Sequence, residues 1–117
     1  MADEMENCLF CRIMRGEIPS QKVYENDDVY SFRDINPQAP VHILVIPKVH
    51  FSSLNDIGSA DDRTLAECLR AIRLIAEREG LTGGYRVVSN CGSDACQSVP
   101  HLHFHILGGC KMGERMA

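Results

Sequence analysis

Hydrophobic positions change their period along this chain, and each change marks an element. Residues 8–16, Cys-Leu-Phe-Cys-Arg-Ile-Met-Arg-Gly, mix apolar and basic side chains at helical spacing, which predicts a short helix ended by Gly16. Lys22 to Glu25 and Val29 to Asp34 are rich in Val, Tyr and Phe around the turn-forming Asn26-Asp27-Asp28, a hairpin signal. Asn36-Pro-Gln-Ala-Pro40 breaks the pattern, and Val41-His-Ile-Leu-Val-Ile46 follows as an apolar strand ended by Pro47. Ser59 and Asp62 form a capping box for the main helix, where Leu65, Leu69, Ile72, Ile75 and Ala76 recur at three- and four-residue intervals until Gly80. Gly83-Gly84 leads into a strand from Tyr85 to Ser89. Residues 90–98 are polar and turn-prone, and a histidine-bearing strand closes the sheet. The order predicts an α+β fold: a five-stranded, mostly antiparallel sheet packed by a short N-terminal helix and one long helix. With no repeat or linker, residues 1–117 read as a single domain.

Charge narrows the partners. A formal net charge of -4 argues against an electrostatic grip on nucleic acid, although local dipoles and imidazoles can still hold a small phosphate. The acidic N-terminus lacks a secretory flank and no apolar run approaches membrane-spanning length, so a cytoplasmic protein without a membrane partner is expected. The six cysteines are then expected as thiols, with Cys68 a small core residue inside the long helix and Cys91, Cys96 and Cys110 scattered around the histidine stretch.

The candidate chemistry sits in Pro100-His-Leu-His-Phe-His-Ile-Leu-Gly-Gly109. In an extended strand, His101, His103 and His105 line one face while Leu102, Phe104 and Ile106 line the other. Three imidazoles can divide the work of nucleophile, proton carrier and metal ligand. They cannot all bind one ion, because alternate side chains stand about 7 Å apart along a strand. Cys8-Leu-Phe-Cys11 is a CxxC pair, half of a tetrahedral zinc site that two histidines could complete, with His50 and His101 the candidates. A redox pair and unmetallated thiols are the other readings of the same spacing, the redox one without the βαβ context of a thioredoxin-like protein.

The stretches Phe32-Arg-Asp-Ile-Asn-Pro-Gln-Ala-Pro-Val-His-Ile-Leu-Val-Ile-Pro47, Asn90 and Gln97-Ser-Val-Pro-His-Leu-His-Phe-His-Ile-Leu-Gly-Gly109 resemble the histidine triad (HIT) superfamily, specifically its branch of histidine triad nucleotide-binding proteins. The resemblance implies a homodimer whose two sheets join, a purine mononucleotide at each histidine strand, and hydrolysis at the α-phosphorus, typically of the P–N bond of a nucleoside phosphoramidate. His103 would be the nucleophile and form a nucleotidyl-histidine intermediate, its other ring nitrogen donating to a backbone carbonyl on the same strand. His105 would bond the non-bridging oxygens, Ser98 would stand at the leaving group, and His42 would support the triad from the neighbouring strand. The resemblance gives Asp34 the ribose hydroxyls, and Asn90 and Gln97 contacts to sugar and phosphate. Phe10, Ile13, Phe32 and Ile35 would wall the base. It also extends to a zinc-containing subset in which the first triad histidine is a ligand; a site of Cys8, Cys11, His50 and His101 has no open position and would be structural, with no metal needed for the chemistry.

Three departures stand out: Ala95-Cys96 where the family usually has Gly-Gly, Pro100 where an aromatic is common, and a tail from Cys110 to Ala117 without tryptophan. Besides the phosphoramidase, the same superfamily offers a dinucleoside polyphosphate hydrolase or a nucleotidyltransferase. A nucleotide-binding regulatory protein with weak turnover is the reading from another class.

Overall fold

The computed structural model describes residues 7–116. Helix α1 is Leu9–Met14, with Cys8 as its N-cap; the Cys8 sulfur accepts the Cys11 N–H at 3.4 Å. It ends in a Schellman turn. Glu17 N–H donates to Arg12 O and Gly16 N–H to Ile13 O, with Gly16 at a φ of 79° that glycine adopts without strain.

The sheet contains β1 (Lys22–Glu25), β2 (Val29–Arg33), β3 (Val41–Pro47), β4 (Tyr85–Val88) and β5 (Phe104–Gly108). Its order is β1-β2-β3-β5-β4, and every neighbouring pair is antiparallel. The β1–β2 turn is held by the Asn26 side-chain oxygen, which accepts from Asp28 N and Val29 N at 2.8 Å each. Helix α2 spans Asp62–Arg78.

The central strands β2 and β3 are buried on both faces. One face carries Val29, Ile43, Val45 and Ile106 against Cys68, Ala71, Ile72 and Ile75 of α2. The opposite face carries Tyr30, Phe32, Leu44 and Ile46 against Phe10, Cys11 and Ile13 of α1. Because a strand alternates its side chains, this division of aliphatic and aromatic residues follows from the period-2 pattern.

Five expectations need correction. The histidine-bearing strand does not close the sheet; it inserts between β3 and β4, leaving β4 at the edge. That strand starts only at Phe104, so His101 and His103 lie on the approach to it. Pro47 is the last residue of β3, paired with Val29, since a strand end tolerates a missing N–H. The box before the long helix lies one residue earlier than Ser59 and Asp62: Gly58 N–H donates to the Asp61 carboxylate at 2.9 Å, and Asp62 is already helical. Leu69 is exposed rather than core, because Cys68, Ala71 and Ile72 form the stripe on the sheet. Small residues there let helix and sheet approach closely.

Candidate active site and metal cluster

The register that pairs Leu44 with His105 places His105 on the α1 face of the sheet, beside Leu44 and diagonal to His42. His101 and His103 turn their rings to the same side, where Phe10 packs edge-on at centroid distances of 5.9 and 5.1 Å. On the other side, Leu102 and Ile106 are buried and Phe104 packs on the α2 core. The three imidazoles therefore share a face although only one lies in β5.

His103 is nearly fully buried, and its Nδ1 is 2.7 Å from the carbonyl oxygen of His101. A carbonyl only accepts, so Nδ1 carries the proton and Nε2 keeps a free lone pair. Burial lowers the His103 pKa below 6.5, against the raising pull of that carbonyl and of Asp34. A bare, neutral nitrogen is the form a nucleophile needs.

His105 gets its tautomer by a longer route. Gln38 N–H donates to Nδ1 of His42 at 2.9 Å, so neutral His42 carries its proton on Nε2. That nitrogen lies 2.9 Å from Nδ1 of His105, which accepts, leaving the His105 proton on Nε2 as a donor. Burial, reinforced by His103 and His42, lowers the His105 pKa to about 4, and burial also lowers that of His42 against the pull of Asp34. The site thus holds one imidazole as acceptor and one as donor, both neutral.

Two groups of side chains have converging ligand atoms: Cys8, Cys11, His50 and His101, and Asp34, His42 and His105. The first fits a tetrahedral ion. Bonds of about 2.3 Å to sulfur and about 2.0–2.1 Å to nitrogen set ligand atoms about 3.3–3.8 Å apart. Here Cys8 Sγ and Cys11 Sγ lie 3.3 and 3.6 Å from Nδ1 of His101, Cys11 Sγ lies 3.4 Å from Nδ1 of His50, and the two Nδ1 atoms are 3.1 Å apart. The outer nitrogen of His101 donates to Pro47 O at 3.0 Å, which leaves Nδ1 bare toward the cluster, the arrangement of a metal-bound imidazole. Burial, with Cys8 beside it, pushes the Cys11 thiol up to about 12, so a bound cation would have to displace its proton. The second group does not fit, because the Gln38 N–H commits Nε2 of His42 to carrying a proton instead of a metal bond.

The remaining candidates fall into place unevenly. Phe10, Ile13 and Phe32 share one apolar cluster, with Phe10 and Phe32 edge-on at 5.5 Å. Ile35 is outside that cluster, 97% exposed in the loop after β2. Asp34 accepts the Asn36 N–H at 2.8 Å and has its other oxygen 3.5 Å from Nε2 of His42. Gln97 fastens its own loop, donating to Ser52 O and Val99 O and accepting from Gly92 N, so its amide is engaged by backbone. Ser98 is exposed and Asn90 half-buried. Cys96 takes the left-handed position (φ 57°) of a second Schellman turn, with Gln97 N–H on Gly92 O and Cys96 N–H on Ser93 O. A glycine is favoured there; in this chain a cysteine takes the left-handed conformation. Sequence reasoning missed Gln38 and Pro47, which act through backbone atoms that no residue type announces.

The same combination of elements occurs in known proteins. A purine nucleoside phosphoramidase from Escherichia coli K12 is 42% identical over 113 residues, covering 96% of this chain and 95% of its own. A 14 kDa zinc-binding protein from Zea mays is 50% identical over 107 residues, covering 89% of this chain and 83% of its own. The crystal structure of a HIT family hydrolase from Legionella pneumophila superposes with a TM-score of 0.92 at 46% identity, over 95% of this chain and all of that one. The HIT domain model matches residues 15–112, which include the strands, the long helix and all three clustered histidines, and the chain belongs to the HIT family.

Proposed function

We propose that the protein hydrolyses purine nucleoside 5′-phosphoramidates to nucleoside monophosphate and amine by two displacements on His103. The observation that carries this is the 2.7 Å contact between His103 Nδ1 and the His101 carbonyl, which leaves the lone pair to Nε2 in a ring packed edge-on against Phe10. Nε2 attacks the α-phosphorus, the P–N bond breaks, and the amine leaves with a proton taken from solvent water and relayed by the Ser98 hydroxyl at that side. Water then attacks phosphorus and gives up a proton to solvent, the bond to His103 breaks, and the monophosphate is released from a neutral imidazole. The His105 Nε2–H bonds the non-bridging oxygens as their charge grows. Asp34 accepts the ribose hydroxyls, while Phe10, Ile13 and Phe32 back the base. Asn90 stands beside the sugar and phosphate, and Gln97 shapes the loop that presents Ser98. The activity named for the Escherichia coli relative supports this reading.

Cys8, Cys11, His50 and His101 would hold one zinc. With four protein ligands it supplies structure, tying α1 to the end of β3 and to the histidine stretch. The pairing of two chains through the β4 edge, where Tyr85 and Val87 are exposed, completes the proposal as a homodimer.

The test is steady-state turnover of adenosine 5′-phosphoramidate beside equilibrium binding of AMP. Wild type should release AMP, and His103→Ala should lose turnover while retaining AMP binding. Turnover of the variant within about tenfold of wild type would sink the mechanism.

A further inference from the structure

The Asp34 carboxylate faces two ways. One oxygen caps the turn at Asn36, and the other lies 3.5 Å from Nε2 of His42, the nitrogen that is also 2.9 Å from Nδ1 of His105. Because the Gln38 N–H occupies Nδ1 of His42, the neutral ring has a single proton, on Nε2, hydrogen-bonded to His105 with the Asp34 charge beside it. A carboxylate draws such a proton more strongly than a neutral imidazole does, while the longer distance weakens its pull. At 3.5 Å the carboxylate acts on that proton through its charge, and anything that occupies Asp34 relaxes this pull and strengthens the hydrogen bond to His105. The charged or titratable groups acting on this pair are Asp34, from the end of β2, and His103, on the approach to β5. Arg33, next to Asp34 in sequence, is paired with Glu79 at the C-terminal end of α2.

We propose that Asp34 is a positioning residue for the His42–His105 pair as well as a ribose acceptor: ribose hydroxyls, by bonding to the carboxylate, relax its pull on the His42 Nε2 proton, strengthen the hydrogen bond to His105 and so hold the His105 Nε2–H more firmly toward the substrate phosphate. This rests on the nucleotide site proposed above. No proton is gained or lost; one hydrogen bond is strengthened. Ribose then contributes to the rate of the chemical step and not only to affinity.

Single-turnover rates at saturating adenosine 5′-phosphoramidate and its 2′,3′-dideoxy counterpart test it. Wild type should be slower on the dideoxy substrate by about threefold to tenfold, the effect of one weakened hydrogen bond. In Asp34→Ala the two saturated rates should coincide. Equal saturated rates in wild type, with only affinity changed, overturn the proposal. A second arm needs no turnover: ring 15N spectra of His42 and His105 with AMP or 2′,3′-dideoxy-AMP. AMP alone should shift His105 Nδ1 toward a stronger accepted hydrogen bond. That shift should vanish in Asp34→Ala and in Asp34→Asn, which keeps an acceptor for the Asn36 N–H. A shift of equal size with both nucleotides overturns the coupling. The AMP-specific shift without phosphoramidate turnover would fault the assigned reaction and leave the coupling standing.

Discussion

His105 shows how one imidazole is held for use: burial, His103 and His42 bring its pKa to about 4, and the His42 Nε2–H on its Nδ1 selects the tautomer. The folded state binds this proton less readily than the unfolded chain, whose histidines titrate near 6.5. The stability it contributes is therefore complete above pH 6.5 and falls as the pH drops from 6.5 toward about 4. An NMR titration of the labelled ring should give a midpoint near 4, and a midpoint near 6.5 would show a ring open to water. The histidines themselves were legible in the sequence, because three at alternate positions announce a face. What holds them was not: the Gln38 N–H, the His101 carbonyl and the Pro47 carbonyl belong to the backbone, and only folding brings them into line.

At the scale of elements, α1 is six residues long, too short to persist by its own hydrogen bonds. It is held by Phe10 and Ile13 in the apolar cluster and by Cys8 and Cys11 beside His50 and His101. Purified protein should carry about one zinc per chain. Replacing both cysteines by serine should remove the metal and lower Tm by about 10 °C, as loss of roughly 2 kcal/mol does in a domain of this size. Metal analysis with calorimetry checks both; a zinc-free wild type with the same Tm as the variant would contradict the assignment. The CxxC pair was legible from spacing, and the fold was needed to bring residues 50 and 101 to it. The stripe of α2 was legible only in part. A helical period allows neighbouring stripes, and the sheet selected Cys68 and Ala71 over Leu69 because small side chains permit a closer approach.

For the whole molecule, the element order predicted the α+β class and the antiparallel sheet, but not that β5 enters between β3 and β4, since strand order depends on long-range pairing that a local pattern does not encode. That insertion leaves β4 as an open edge with Tyr85 and Val87 exposed. Light scattering should therefore give twice the 13.1 kDa chain mass, and Tyr85→Asp with Val87→Asp should give the single-chain mass. A monomeric wild type would remove the dimer from the account. The central claim is that the folded molecule delivers His103 as a nucleophile, with its Nδ1 proton held by the chain and Nε2 bare. The most direct measurement is a rapid quench of a single turnover of adenosine 5′-phosphoramidate at neutral to alkaline pH, followed by peptide mapping by mass spectrometry. The account predicts one nucleotidyl group on His103 that forms before AMP and decays into it. An adduct on His105 or Ser98, or AMP forming with no adduct at any time point, would contradict it.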